Sequence, residues 1–148
     1  MPRISRQASV TWEGNLARGT GSLTGVSSGA FEALPYSLPT RIGNPEGKTS
    51  PEELLAASHG GCLTMSLAGE LTGAGTPPER LDVAVTVVVD EVDGRHLVVL
   101  SQVNVTGRVP GIDEAAFAAA VRAADEGCTI SALLRASARV EVDARLDT

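Results

Sequence analysis

Residues 49–72 read TSPEELLAASHGGCLTMSLAGELT, and this segment decides the fold because it predicts one long, mostly apolar helix. Ser50 suits the N-cap, Pro51 suits the first helical position, and Glu53 completes a Ser-x-x-Glu capping box. The Gly-Gly pair at 60–61 weakens this helix by about 2 kcal/mol relative to two alanines. Such a cost indicates that bare backbone is needed there for a close approach.

The composition is that of a soluble globular protein, with 43% hydrophobic and 20% charged residues among 148. A formal net charge of −6, 3% aromatic residues and the absence of a basic run argue against nucleic-acid binding. The N-terminal MPRISRQASV lacks the apolar region of a secretory signal, and no stretch reaches about 18 consecutive apolar residues. The expected compartment is therefore the cytoplasm, where cysteines are expected to be reduced at rest.

Periodicity along the chain predicts a single α+β domain over residues 1–148, since we find no internal repeat and no separating linker. The pattern predicts, in order, strands at 3–12 and 20–27, an extended or irregular stretch at 31–39, a polar loop at 40–48 and the long helix. It then predicts strands at 81–92 and 97–109, helices at 114–126 and 129–135, and a strand at 138–146. Asp93-Gly94 predicts a hairpin turn, and Ser101 is a polar exception on the apolar face of the second hairpin strand. Asp113 is placed to N-cap the first short helix.

The chain contains two cysteines, Cys62 and Cys128, which are either buried structural residues or a reactive pair. Cys62 follows the Gly-Gly pair inside a helix. Cys128 lies at a junction between two helices, where the N-terminus of the following helix can stabilise a thiolate. Both cysteines flank segments that are predicted to form the core, so the two side chains could lie close together. A disulfide between them would require their Cα atoms to be about 5.5–6 Å apart.

A reactive thiol needs a nearby cation, because a cysteine with a pKa of about 8.5 is mostly protonated at neutral pH. The candidate cations are Arg18, Arg41 and Arg135. An arginine is held well by bidentate pairing with a carboxylate, for which Glu52 and Glu53 are the candidates. Since Glu53 already fits the capping box, Glu52 is the better candidate.

Glu52 and Cys62 are ten residues apart, which on a straight helix is about 15 Å along the axis. They therefore do not share a site within one chain. Two copies of the helix, antiparallel across a two-fold axis near residue 57, would bring Glu52 level with the partner's Cys62. The residues around this midpoint are small enough for close helix packing: Ala56, Ala57, Ser58, Gly60 and Gly61. The sequence therefore predicts a C2 homodimer with a site assembled from both chains.

A metal site is the alternative use of these side chains, with Cys62, Cys128, His59 and Glu52 as ligands. No CxxC or HxxxH spacing supports it, so the sequence favours no metal and places His59 in packing or hydrogen bonding near the cysteine. There is also no Ser-His-Asp order, no phosphate-binding glycine loop and no dinucleotide fingerprint, and no cofactor is predicted.

Several segments together resemble the OsmC/Ohr family of bacterial hydroperoxide reductases. They are SPEELLAASHGGC (50–62) with EGCTIS (126–131), and, for the OsmC branch in particular, VTWEGNLARGTGSL (10–23), TRIGNPEGKTSPEELL (40–55) and VPGIDEAAF (109–117). The resemblance implies an OsmC-like intertwined homodimer, with antiparallel sheets around a long buried central helix that carries the first cysteine.

The same resemblance implies a thiol-dependent peroxidase, in which Cys62 is the peroxidatic cysteine and Cys128 the resolving one. Arg41 would activate the thiolate and Glu52 would hold Arg41, with Arg18 as the alternative that corresponds to the Ohr branch. The expected substrate is an organic hydroperoxide, with hydrogen peroxide a weaker one. A dithiol, for which the resemblance suggests a lipoyl protein, would be the reductant.

Two other functions stay open at this point. One is a redox-inactive dimeric binding module for an apolar ligand, and the other is a thiol–disulfide exchange protein acting on other proteins. Thr129 is a local departure from the family pattern, because a proline often follows the second cysteine there.

Overall fold

A computed structural model describes residues 2–147, which form two compact units, one up to Pro51 and one from Glu52 onward. The α+β class is confirmed, because the chain contains two three-stranded sheets and a long helix. The prediction of one domain over 1–148 stays a prediction. No helix among residues 2–147 is long and apolar enough to cross a membrane.

The first unit is an antiparallel sheet followed by one helical turn. Its elements are β1 (Ala8–Glu13), β2 (Thr20–Val26), β3 (Leu34–Tyr36) and α1 (Leu38–Ile42). The prediction of a polar loop at 40–48 is wrong at its start, because Arg41 lies in the last turn of α1. Ser37 starts this helix by accepting a hydrogen bond from the Thr40 amide (3.3 Å), with Pro39 in the first turn. The sequence Ser-Leu-Pro-Thr is therefore a helix-start signal, and it predicts α1 when its serine is read as an N-cap.

The second unit is built on the long helix predicted from residues 49–72. Its elements are α2 (Pro51–Gly73), β4 (Arg80–Val92), β5 (Arg95–Arg108), α3 (Glu114–Gly127), α4 (Thr129–Arg135) and β6 (Arg139–Leu146). Pro51 is the first residue of α2, as predicted, and the helix continues without a break through the Gly-Gly pair. Its buried side is formed by His59 and three leucines, Leu63, Leu67 and Leu71.

β4 and β5 form the predicted long antiparallel hairpin. Asp93 and Gly94 both have positive φ, 51° and 74°, as a two-residue turn of this kind requires. The register shifts between Val88 and Val89, and this bulge interrupts the simple alternation expected for the second strand. Ser101 lies beyond the bulge and is fully buried.

The last strand corrects one prediction. β6 pairs parallel with β5, so the second sheet is mixed rather than antiparallel throughout. The physical reason is the connection, because the chain passes through α3 and α4 before it returns to the sheet, and such a crossover delivers a parallel strand.

The core of the second unit lies between α2, β5 and α3. Asp113 caps α3 as predicted, by accepting a hydrogen bond from the Ala116 amide (2.8 Å). The buried apolar side chains that pack together there are Leu63, Leu67, Leu71, Val103, Val105, Phe117, Val121 and Ala124. This packing fixes one side of α2 against the sheet and leads its middle turns towards the α3–α4 corner.

Candidate active site

The first turn of α4 lies against the middle of α2. Cys62 is half-buried on α2, and its Sγ lies 3.6 Å from the Thr129 Oγ1. Cys128 precedes Thr129 and is only 1% exposed. Both cysteines are free thiols. The structure thus brings together the two cysteine-bearing segments that are 66 residues apart in the chain.

Cys128 occupies the corner between α3 and α4, as the sequence predicts. Its backbone is extended (φ −78°, ψ 117°), and its N–H donates to the Asp125 carbonyl (3.2 Å) at the end of α3. Its Sγ accepts a hydrogen bond from the Ser131 amide (3.4 Å) and so caps α4. The thiol position is therefore set by the turn itself.

The surroundings of Cys62 favour its thiolate. Burial raises the pKa of this thiol, but hydrogen bonds from the Ile130 amide, the Thr129 hydroxyl, the Cys128 thiol and the Thr129 amide lower it. The net result is a pKa below the ordinary cysteine value of 9.0. Cys62 is therefore ionised at neutral pH to a greater extent than a free cysteine, and the thiolate is the nucleophilic form.

Thr129 was not predicted as a member of this site. At the start of a helix the first backbone N–H groups have no partner inside the helix. Thr129 and Ile130 directly follow the capping residue Cys128, so their amides are such groups. A helix start beside a cysteine was the available signal, but the sequence alone did not show that these donors face the other cysteine.

His59 ties α2 to two other elements. It is fully buried, with Nδ1 2.7 Å from the Ser101 Oγ of β5 and Nε2 2.8 Å from the Ser131 Oγ of α4. A neutral imidazole donates from one ring nitrogen and accepts at the other, so the two serine hydroxyls take opposite roles. The prediction of hydrogen bonding near the cysteine is confirmed. Neither serine was identified from the sequence.

The charge of His59 follows from its burial. Burial lowers its pKa below the ordinary value of 6.5, Asp125 raises it and Arg135 lowers it further, with a net lowering. The residue is therefore neutral at neutral pH.

Across residues 2–147, no group of three or more His, Cys, Asp and Glu side chains is placed to hold a metal ion.

Arg135 does not take the role considered for it beside Cys62. Its guanidinium donates to the Asp125 Oδ2 and so links the ends of α3 and α4. It is not among the groups that lower the Cys62 pKa. The Asp125 Oδ1 is buried without a hydrogen-bond partner within residues 2–147. Arg135 therefore braces the corner that carries Cys128.

The remaining candidate charges named from the sequence are Arg41, Arg18 and Glu52. Arg41 lies in α1 and Arg18 lies in the β1–β2 connection, both in the first unit. Glu52 lies in the first turn of α2, where a carboxylate is favoured by the helix dipole. Because α2 is continuous, Glu52 and Cys62 of one chain remain about 15 Å apart along the axis. The roles of Arg41 and Glu52 stay predictions.

The two glycines of α2 face different surroundings. A Cβ on Gly60 would lie 3.3 Å from the Val85 Cγ2, whereas a Cβ on Gly61 would meet nothing within 4 Å. Within the chain, the close approach at Gly60 is therefore to β4, and the expected approach of a second helix stays a prediction. A groove of about 580 Å³ runs along this side. Its lining is Glu53, Ala56, Ala57, Gly60, Gly61 and Thr64 from α2, with Leu81, Asp82, Val83 and Val85 from β4.

Comparison with known proteins agrees with this fold. Residues 43–143 match the family described as OsmC-like protein. Peroxiredoxin OsmC of Escherichia coli (strain K12) is 34% identical over 133 residues, which cover 90% of this chain and 92% of that protein.

Two crystal structures show the same fold at low identity. The organic hydroperoxide resistance protein OsmC of Legionella pneumophila superposes with a TM-score of 0.71 at 19% identity, covering 94% of this chain and 96% of that one. An organic hydroperoxide resistance protein from Elizabethkingia anophelis gives a TM-score of 0.73 at 18% identity, covering 99% and 100%. With the family match over more than half of its length and the 34% identity over nine-tenths of it, the chain belongs to the OsmC-like family, in its OsmC branch.

Proposed function

We propose that this chain reduces organic hydroperoxides, and hydrogen peroxide more weakly, with Cys62 as the attacking thiolate and Cys128 as the resolving thiol. As a member of the OsmC-like family with a 34% identical relative named peroxiredoxin, the chain is a peroxidase that uses a thiol reductant. The observation that carries the residue assignment is the Cys62 sulfur surrounded by hydrogen-bond donors from the first turn of α4, the Cys128 thiol among them.

The first chemical step is attack by the Cys62 thiolate on the terminal oxygen of the hydroperoxide. The S–O bond forms as the O–O bond breaks, and the leaving alkoxide takes a proton from water to become an alcohol. Cys62 becomes a sulfenic acid, so its sulfur is oxidised by two electrons and the peroxide is reduced by two. The half-buried position of Cys62 allows a small peroxide to reach it, whereas Cys128 is enclosed.

The second step is condensation with the neighbouring thiol. Cys128 attacks the sulfenic sulfur of Cys62, the S–S bond forms, the S–O bond breaks and the oxygen leaves as water. An external dithiol then reduces the disulfide by two thiol–disulfide exchanges and becomes oxidised itself. We assign this role to a lipoyl-type dithiol, following the family resemblance, and place the reaction in the cytoplasm as part of the defence against oxidative and osmotic stress.

We further propose that the working unit is a C2 homodimer. The distance of about 15 Å between Glu52 and Cys62 within one α2 supports a site that draws on two chains. The outward side of α2 supports it as well, because Ala57 and Gly61 are small and exposed, and Met65 is 73% exposed. An apolar helix side of this kind suits burial against a second copy. In this dimer Glu52 would hold Arg41 in an orientation that stabilises the Cys62 thiolate.

A dithiol-coupled peroxidase assay with tert-butyl hydroperoxide and hydrogen peroxide tests the proposal. Wild type is expected to turn over both, with the higher kcat/KM for the organic substrate. Cys62→Ser is expected to lose activity, and Cys128→Ser to lose efficient dithiol-driven turnover while it still consumes about one peroxide per chain. In Cys128→Ser the serine hydroxyl can still accept the hydrogen bond that caps α4. Full activity of Cys62→Ser would exclude the proposed nucleophile.

A further inference from the structure

The hydroxyl of Thr129 is the side-chain group of α4 that faces the reacting sulfur. We propose that Thr129 is a catalytic residue of the Cys62 site, whose hydroxyl donates a hydrogen bond to the Cys62 sulfur and favours its thiolate form. The contact that carries this proposal is the 3.6 Å separation between the Thr129 Oγ1 and the Cys62 Sγ. The catalytic part of the inference rests on the peroxidase function proposed above.

The direction of this hydrogen bond depends on the ionisation of the sulfur. In the thiol form either atom can donate. In the thiolate form the sulfur carries no hydrogen, so only the Thr129 hydroxyl can donate. A hydrogen bond to an ionised acceptor is stronger than one between neutral groups. The contact therefore stabilises the thiolate more than the thiol, and this preference lowers the Cys62 pKa.

The backbone around Thr129 is fixed before any substrate arrives. The Ser131 amide donates to the Cys128 Sγ (3.4 Å), and the Ala132 amide donates to the Cys128 carbonyl (3.1 Å), so the turn that carries Thr129 is closed by its own hydrogen bonds. The Ser131 hydroxyl is in turn bonded to the His59 Nε2 (2.8 Å).

His59 also lies on α2, three residues before Cys62. Both sides of the contact between threonine and cysteine are thus anchored to the same buried imidazole. A donor held in this way needs little reorganisation when the sulfur becomes charged, which is the property that makes a preorganised hydrogen bond useful in catalysis.

Three substitutions separate the hydroxyl of Thr129 from its backbone amide. Thr129→Ser keeps both donors. Thr129→Val keeps the shape and the amide but removes the hydroxyl. Thr129→Pro removes both donors, and proline is well tolerated at the first position of a helix. The side chain is exposed, so none of these changes alters the apolar core.

The decisive experiment measures the pH dependence of Cys62 alkylation by iodoacetamide in the full-length chain without peroxide, with each cysteine quantified by peptide mass spectrometry. Thr129→Val is expected to move the midpoint upward by about half a pH unit or more, Thr129→Pro at least as far, and Thr129→Ser to keep the wild-type midpoint. Continued protection of the enclosed Cys128 reports that each variant is folded. A wild-type midpoint in Thr129→Val would overturn the inference, and a shift confined to Thr129→Pro would assign the effect to the backbone amide instead of the hydroxyl.

A second readout separates this role from a structural one. For tert-butyl hydroperoxide, kcat/KM of Thr129→Val is expected to be about threefold below wild type at a pH at least about one unit below both alkylation midpoints, because a half-unit rise in pKa lowers the thiolate fraction there by that factor. The difference is expected to vanish at a pH well above both alkylation midpoints, where both thiols are ionised. An equal loss at every pH would contradict a donor role. If wild type reduces no peroxide, the proposed function fails, while the alkylation midpoints still decide whether Thr129 donates to Cys62.

Discussion

The surroundings of the Cys62 and Cys128 sulfur atoms differ, and this difference bears on the chemistry that each cysteine can perform. The Cys62 sulfur is half-buried and receives donors from Ile130, Thr129 and Cys128. The Cys128 sulfur is enclosed and accepts one backbone hydrogen bond, from Ser131. An accessible sulfur with a lowered pKa is suited to meet a peroxide, and an enclosed neighbour is suited to attack the oxidised sulfur afterwards. This difference supports the proposed order of the two roles.

The buried imidazole of His59 makes the stability of the fold depend on pH. Because burial lowers the His59 pKa from 6.5, the unfolded chain binds this proton more readily than the folded chain. The stabilisation is complete above pH 6.5 and is lost as the pH falls from 6.5 towards the folded-state pKa. His59→Gln is therefore expected to lose less stability than wild type between pH 7.5 and pH 5.5, measured by urea unfolding.

The same substitution carries a cost at neutral pH. Glutamine replaces at most part of the two contacts to Ser101 and Ser131, so His59→Gln is expected to lower the free energy of unfolding at pH 7.5 by roughly 1–3 kcal/mol. His96→Gln removes the exposed histidine of β5 and serves as the control, with wild-type stability at both pH values. A His59→Gln chain with the full wild-type pH dependence would show that His59 does not cause it.

The sequence shows some residue roles and conceals others for a physical reason. Asp113 was predicted correctly because its cap involves an amide three residues away. The partners of His59 lie 42 and 72 residues away, and Thr129 reaches across 67 residues to Cys62. No local pattern encodes such contacts, so Ser101, Ser131 and Thr129 were identified only from the structure. The pairing of the two cysteines was expected through the family resemblance.

At the scale of elements, local signals specify the helices better than they specify the sheet. The bounds of α3 follow from its cap and its apolar period, and they were predicted to within one residue. The parallel pairing of β6 depends on how α3 and α4 carry the chain back to the sheet, which strand alternation does not report. The turn of α1 was hidden because two prolines in residues 31–39 suggested irregular backbone.

The glycines of α2 provide a test of its packing on β4. A Cβ on Gly69 would meet nothing within 4 Å of the same chain. Gly69→Ala is therefore expected to stabilise the chain by up to about 1 kcal/mol, because alanine has the higher helix propensity. Gly60→Ala gains the same propensity, but its Cβ would lie 3.3 Å from the Val85 Cγ2. We therefore expect Gly60→Ala to be at least about 1 kcal/mol less stable than Gly69→Ala in urea unfolding. Equal stability of the two variants would contradict this expectation and show that the Val85 side chain moves aside at little cost.

At the scale of the whole molecule, the proposed dimer predicts complementation between two inactive variants. Glu52→Ala and Cys62→Ser are each expected to have little activity alone. When they are unfolded and refolded together, half of the dimers are mixed, and each mixed dimer contains one intact site. About a quarter of the wild-type peroxidase activity is then expected to return.

The matched control for complementation mixes Cys62→Ser with Cys128→Ser. These two thiols face each other within one chain, so no mixed dimer contains an intact pair and no activity is expected to return. Sedimentation at micromolar concentration is expected to show a dimer for every variant. A fully active monomer, or a Glu52→Ala and Cys62→Ser mixture that stays inactive, would contradict a site shared between two chains.

The reactive sulfur itself is tested most directly by trapping its oxidised form. The Cys128→Ser chain is treated with one equivalent of tert-butyl hydroperoxide in the presence of dimedone, which reacts with sulfenic acids, and each peptide is then analysed by mass spectrometry. We predict close to one dimedone adduct per chain on Cys62, together with consumption of the peroxide. Unconsumed peroxide and an unlabelled Cys62 would contradict the assignment of Cys62 as the nucleophile.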